Sequence, residues 1–267
     1  MRIESICPSA TNSGRSHHDA RVKSTHVPRC DRTAVSMASG EGVSDLGLVN
    51  DSGSVRLKHA TVPPGLCRMF DGRPAPSGFA VRALAWETLR TFDCGLLPDL
   101  RFPLRRAVPG TPPPSLDELL ETIAALRPGG PGPVLFLELK RDEAPALSPA
   151  REPYARLVAD ALGLRGFLAR TVVLSFDHGL LRAVRALAPS VATMPLVDRP
   201  ADLAALARRE EAAWVGPRHT LLTPETVAAA RAAGARVYAW TVDDPAEQER
   251  LAAMGVDAVG AGDPAAR

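Results

Sequence analysis

Glu138 and Lys140 stand two residues apart at the end of the apolar stretch LFLELK. Side chains of a β-strand alternate between faces, so a strand here points both the same way, at its C-terminal end. A carboxylate beside an ammonium suits an oxygen-liganded divalent cation and a neighbouring anion such as phosphate. The same pair also suits a structural ion pair closing a strand. Trp240, in RVYAWTVDDP, reads either as core packing or as the wall of a ligand pocket. His59 ends an alternating stretch and, taken alone, is a surface histidine, while His178 opens a helical pattern as a cap or surface residue. His17, His18, His26 and Cys30 fit no standard zinc spacing.

The elements that must position these groups are clearest in the second half of the chain. Short apolar runs at 134–139, 171–176, 192–197, 212–216, 236–242 and 256–261 read as buried strands. Helical spacing fills the gaps at 156–162, 180–187, 201–208, 224–233 and 245–254. Ser115 with Glu118 reads as a capping box, Thr223-Pro224 as an N-cap followed by a first-turn proline, and Asp244-Pro245 with Glu247 as a further box. Repeated βα units predict a parallel sheet covered by helices. Two strands are then needed for an eight-stranded barrel: 43–48 is expected as the second, and 54–59 as an extra strand in an insertion. Residues 1–42, rich in Ser, Arg and His, write the first strand poorly. The expectation is an α/β TIM (β/α)8 barrel with its first βα unit degenerate or disordered. It divides the chain into a divergent or partly disordered segment at 1–40 and a barrel domain at 41–267.

Bulk properties narrow the function. The 267 residues are 45% hydrophobic and 23% charged, an ordinary globular balance. With 32 basic and 30 acidic residues the net charge is +2, so nothing favours nucleic acid or an anionic membrane. There is no stretch of roughly 18 apolar residues to make a transmembrane segment, nor the apolar core of a signal peptide, and a cytoplasmic protein is expected. Cys7, Cys30, Cys67 and Cys94 lie far apart without a CxxC pair and are expected to be isolated thiols.

Three stretches taken in order, LFLELK, VVLSFDHGLLRAVRALAP and LLTPETVAAARAAGARVYAWTVDDPAEQERLAAMGVDAV, resemble the glycerophosphodiester phosphodiesterase family. The P-S-L-D-E-L helix start, the E-x-K strand, the S-F-D strand end and the W-T-V-D-D-P turn follow that family's order. The resemblance spans residues 43–260 and is strongest after residue 80.

The resemblance implies a TIM barrel that hydrolyses a small-molecule glycerophosphodiester to an alcohol and glycerol 3-phosphate with one divalent cation, Ca2+ or Mg2+. Members hold the metal with a Glu-x-Asp pair and the E-x-K glutamate, and use two histidines as acid and base. Carried onto this chain, Asp45 and Glu138 become metal ligands, Lys140 a phosphate contact and Trp240 a substrate wall. His59 becomes the acid, and His17 falls on the H-R-G turn. Val43 stands where the metal-binding Glu is expected, Ala60 replaces the Asp after His59, and Ala261-Gly262 stands where T-D is usual. Those departures keep open a barrel that binds a phosphodiester or lipid headgroup without turnover, and an inactive remnant.

Overall fold

The computed structural model describes residues 35–36, 46–49, 55–57, 62, 67–69, 71–75, 80–95, 108–125, 134–141 and 148–261. In chain order its strands are β1 (Val35–Ser36), β2 (Leu46–Val49), β3 (Val55–Leu57), β4 (Arg68–Met69), β5 (Phe92–Asp93), β6 (Leu135–Glu138), β7 (Thr171–Ser175), β8 (Ala192–Val197), β9 (Trp214–Pro217), β10 (Arg236–Trp240) and β11 (Ala258–Gly260). The helices are α1 (Trp86–Leu89), α2 (Leu116–Ala125), α3 (Arg151–Leu164), α4 (His178–Leu187), α5 (Leu203–Arg209), α6 (Pro224–Ala232) and α7 (Pro245–Ala253).

Among the described residues, seven strands form one sheet in the order β1-β6-β7-β8-β9-β10-β11, every recorded pairing parallel. From β6 onward each strand pairs with the next in sequence, and a helix lies between each pair, as expected for successive βα units. Strands β6 and β7 are buried throughout, so they read as unbroken apolar runs without two-residue alternation.

The sheet is curled, and its own side chains prove it. Phe136 on β6 stacks on Tyr238 on β10 with ring centroids 5.5 Å apart, and meets Trp214 on β9 edge-on at 5.3 Å. Four strand spacings in a flat sheet would separate the first pair by about 19 Å. These rings, with Val172, Leu174, Met194, Leu196 and Ala258, fill the inside of the curl. Residues of opposite parity face outward: Leu135, Leu137, Leu139 and Val173 pack on α3 and α4, while Val215, Val237 and Ala239 pack on α5 to α7. This is the interior and the covering ring of a TIM-type (β/α)8 barrel, whose first βα unit lies outside the described residues.

Helix starts follow local chemistry. Asp177, Asp202, Thr223 and Asp244 accept backbone N–H groups at the starts of α4, α5, α6 and α7, and Ser115 exchanges bonds with Glu118 ahead of α2. At α7 the expected box is not formed: Glu247 turns instead to Arg250 and His219. No helix among the described residues is long and apolar enough to cross a membrane.

Two further expectations are corrected. The partner of β6 in the sheet is β1, at 35–36, and not a strand at 43–48. Residues 46–49 pair antiparallel with 55–57 in a separate two-stranded sheet. The five-residue connection between them is far too short for a parallel crossover, which needs a dozen or more residues. Residues 54–59 do contribute an extra strand, β3, outside the seven-stranded sheet. Finally, Cys67 and Cys94 form a disulfide. Antiparallel pairing sets Arg68 beside Asp93 and Met69 beside Phe92, so the next residues outward, Cys67 and Cys94, face each other. The bond lies in a small core of its own with Val62, Ala75, Val81, Leu89 and Phe92.

Candidate active site

The C-terminal ends of parallel barrel strands are where this architecture builds its sites. Glu138 ends β6 on the same face as Phe136, the inside of the curl, and its side chain is only 2% exposed. Lys140, two residues on, places Nζ 2.5 Å from Glu138 Oε1 while keeping 29% of its side chain exposed. A buried carboxylate thus meets a partly open ammonium. The Glu138 charge reaches the buried Tyr154 of α3, whose hydroxyl is pushed far above its ordinary value, first by burial and then by that charge.

Sequence reading passed over what holds this strand end in place. Ser175, at the end of β7, is buried and donates its hydroxyl to Leu139 O at 2.6 Å, while Leu139 N donates to Leu174 O at 2.8 Å. Residue 139, between Glu138 and Lys140, is therefore tied to β7 by both its polar groups. Asp177 N donates back to Ser175 Oγ at 3.0 Å. Asp177 caps α4 and also receives Arg151 at 2.8 Å and Arg141 at 3.2 Å. Burial pushes its carboxyl up, but the bonds from Arg151 and the Leu180 amide and the charges of Arg151 and Arg141 outweigh this and hold it below the carboxylate range. The S-F-D motif is thus a brace for the E-x-K strand, with Phe176 between its two anchors left 46% exposed.

Phe176 meets Trp240 edge-on, centroids 5.4 Å apart, although three strand spacings part β7 from β10. Trp240 is half-buried, and its indole N–H donates to Gly216 O at 2.8 Å. A Cβ at Gly216 would press on the Leu196 and Met194 side chains, which would have to shift to admit it. Arg218, just beyond β9, sets its guanidinium carbon 5.5 Å from the Trp240 ring centroid. Next to it, His219 Nδ1 lies 2.9 Å from Glu247 Oε1. The Glu247 carboxyl is held down to about 2 by hydrogen bonds from Arg250 and His219.

Of the residues singled out from sequence, Glu138, Lys140 and Trp240 stand at this end of the sheet. His17, Asp45 and His59 lie outside the described residues, as do Val43 and Ala60. His178 does not cap α4; its Nε2 lies 3.0 Å from Leu196 O, tying the helix start to β8. Among the described residues no group of three or more His, Cys, Asp or Glu side chains is placed to hold a metal ion. At this end of the sheet the buried Glu138 offers an oxygen donor of the kind hard cations take. A separate cavity of about 250 Å³, lined by Met69, Arg90, Phe92, Asp93 and Pro112 among others, lies in the disulfide-linked lobe. Its Asp93 is spent on the amides of Gly95, Gly110 and Thr111, and its Arg90 is paired with Glu118.

Comparison with known proteins agrees with this picture. A crystal structure of a Silicibacter pomeroyi protein assigned as a glycerophosphoryl diester phosphodiesterase superposes with a TM-score of 0.75 at 28% identity, covering 82% of this chain and 79% of that one. An Oleispira antarctica phosphodiesterase, solved with its product sn-glycerol-3-phosphate, has a TM-score of 0.65 at 21% identity, covering 81% and 79%, a likeness of fold. A curated glycerophosphodiester phosphodiesterase of Arabidopsis thaliana is 44% identical over 59 residues, which are 22% of this chain and only 18% of that protein. The model of the glycerophosphoryl diester phosphodiesterase family matches residues 18–266. The braced E-x-K strand, the curled parallel sheet and this near-complete match agree: the chain belongs to the glycerophosphoryl diester phosphodiesterase family.

Proposed function

We propose that this member of a hydrolase family cleaves glycerophosphodiesters to an alcohol and glycerol 3-phosphate, using one divalent cation, Ca2+ or Mg2+. The observation that carries the reading is the buried Glu138 carboxylate paired with Lys140 at the C-terminal end of β6. In this reading Glu138 and Asp45 hold the cation, which supplies charge neutralisation at a phosphoryl oxygen and a lower pKa for the attacking oxygen. Lys140 pairs with Glu138 and offers its remaining N–H groups to the phosphate. Ser175 and Asp177 hold that strand end still, so that orientation is supplied before the substrate arrives. Trp240 walls the pocket. His59 protonates the leaving alcohol and His17 takes the proton from the nucleophile, the acid and base work for which imidazole is suited.

The test is hydrolysis of glycerophosphocholine and glycerophosphoglycerol by purified protein with Ca2+, Mg2+ or EDTA, beside Glu138→Ala. Turnover is expected with metal, is abolished by EDTA, and falls about 100-fold or more in the variant. Folded protein inactive with every metal would refute the hydrolase. Val43 at the position of the family's metal-binding Glu favours a second reading, a barrel that binds the phosphodiester without cleaving it. That reading predicts calorimetric binding in the absence of turnover.

A further inference from the structure

Most cations on the strand-end side of the described structure are committed. Lys140 is on Glu138, Arg141 and Arg151 on Asp177, and Arg250 on Glu247. Arg218 differs. It is exposed, and among the described residues its guanidinium meets no carboxylate and rests only on the Trp240 ring, 5.5 Å from the centroid. Its backbone is fixed, with Arg218 N donating to Val197 O at 2.9 Å and a bridge to Trp240. The ring beneath it is fixed as well, by the bond to Gly216 O and the edge contact with Phe176. The result is a held aromatic face at the barrel mouth already carrying a positive charge.

We propose that Arg218, laid on Trp240, selects the alcohol part of the substrate: it disfavours a cationic headgroup and favours an uncharged polyol or an anionic one. This rests on the reading of the strand ends as a glycerophosphodiester site. An open indole and phenyl pair at a mouth would receive a quaternary ammonium by cation–π attraction. Here the guanidinium occupies that face, and a second cation must displace it or stand beside like charge. Hydroxyl or carboxylate oxygens instead meet a planar fork of N–H donors lying over the ring. Substrates that differ only in headgroup therefore separate at this wall, while Glu138 and Lys140 treat their shared phosphate alike.

The experiment measures both kcat/KM and calorimetric Kd for glycerophosphoglycerol and glycerophosphocholine, on the wild type, Arg218→Ala and Arg218→Gln. The wild type is expected to prefer the uncharged headgroup about tenfold, and both variants to bring the ratio near one by accepting choline better. A wild type that takes choline equally or better overturns the proposal without need of any variant, and so does an unchanged ratio in both variants. Turnover of both substrates with equal efficiency leaves the hydrolase standing and removes the selector. Selective binding without turnover keeps the selector and removes the hydrolase. Binding of neither substrate removes both.

Discussion

Ser175 shows how one hydroxyl can tie a neighbouring strand end in place. Its Oγ accepts from Asp177 N and donates to Leu139 O, so it joins two strand ends and the start of a helix in a buried place. Ser175→Ala leaves a buried carbonyl and an amide short of a partner, which costs about 2 kcal/mol in a denaturant melt. The loosened end of β6 also shifts Glu138 and Lys140, and turnover is expected to fall about tenfold beyond what lost folded protein explains. A melt shifted with turnover per folded molecule unchanged would mean that Ser175 serves stability alone. The E-x-K pair itself was legible from sequence because two-residue periodicity is a property of any strand. Arg218 was not, because its contact with Trp240 depends on neighbouring strands in a curled sheet and leaves no mark in local spacing.

Legibility at the scale of elements followed how local the stabilisation is. The run at 192–197 is a strand over those very residues, because burial on both faces needs only an unbroken apolar stretch. Helices α4 to α7 likewise announced themselves by spacing, and α6 and α7 also by their start residues. Strands β1, β4 and β5 hold two residues each, too few for any periodicity, and they are defined by their partners. The disulfide was hidden for the same reason: Cys67 and Cys94 are 27 residues apart and meet only through the register of β4 with β5. By loop-closure entropy a cross-link of that span is worth roughly 3 to 4 kcal/mol. Cys94→Ser is therefore expected to loosen the lobe at 62–95 and expose it to limited proteolysis, with the segment after residue 148 still protected. Cleavage spread evenly over both regions would show that the lobe and the barrel unfold together.

For the molecule as a whole, acid stability follows from carboxylates whose proton affinity folding has lowered. Burial pushes Glu210 up, but Arg182 and Arg209 outweigh it, and Asp177 is held low in the same way. Glu247 is held down to about 2. A depressed carboxylate stabilises the fold above its unfolded pKa of about 4, and that contribution is lost as pH falls through the folded value. Melting temperature should therefore be nearly level between about pH 7 and 5 and fall steeply between about 4 and 2. Asp177→Asn should flatten that fall and cost about 1 kcal/mol at pH 7, a modest figure because Arg151 is half-exposed. An identical acid slope in the variant would remove Asp177 from this account. The pairing of Val35 with Leu135 carries a different consequence. The ribosome makes one strand roughly 5 to 20 s before the other exists, at about 5 to 20 residues per second. From β6 onward each strand meets a neighbour just synthesised, whereas β1 must wait for β6. Its place in the sheet is a long-range closure, bridged only after the intervening hundred residues have left the tunnel.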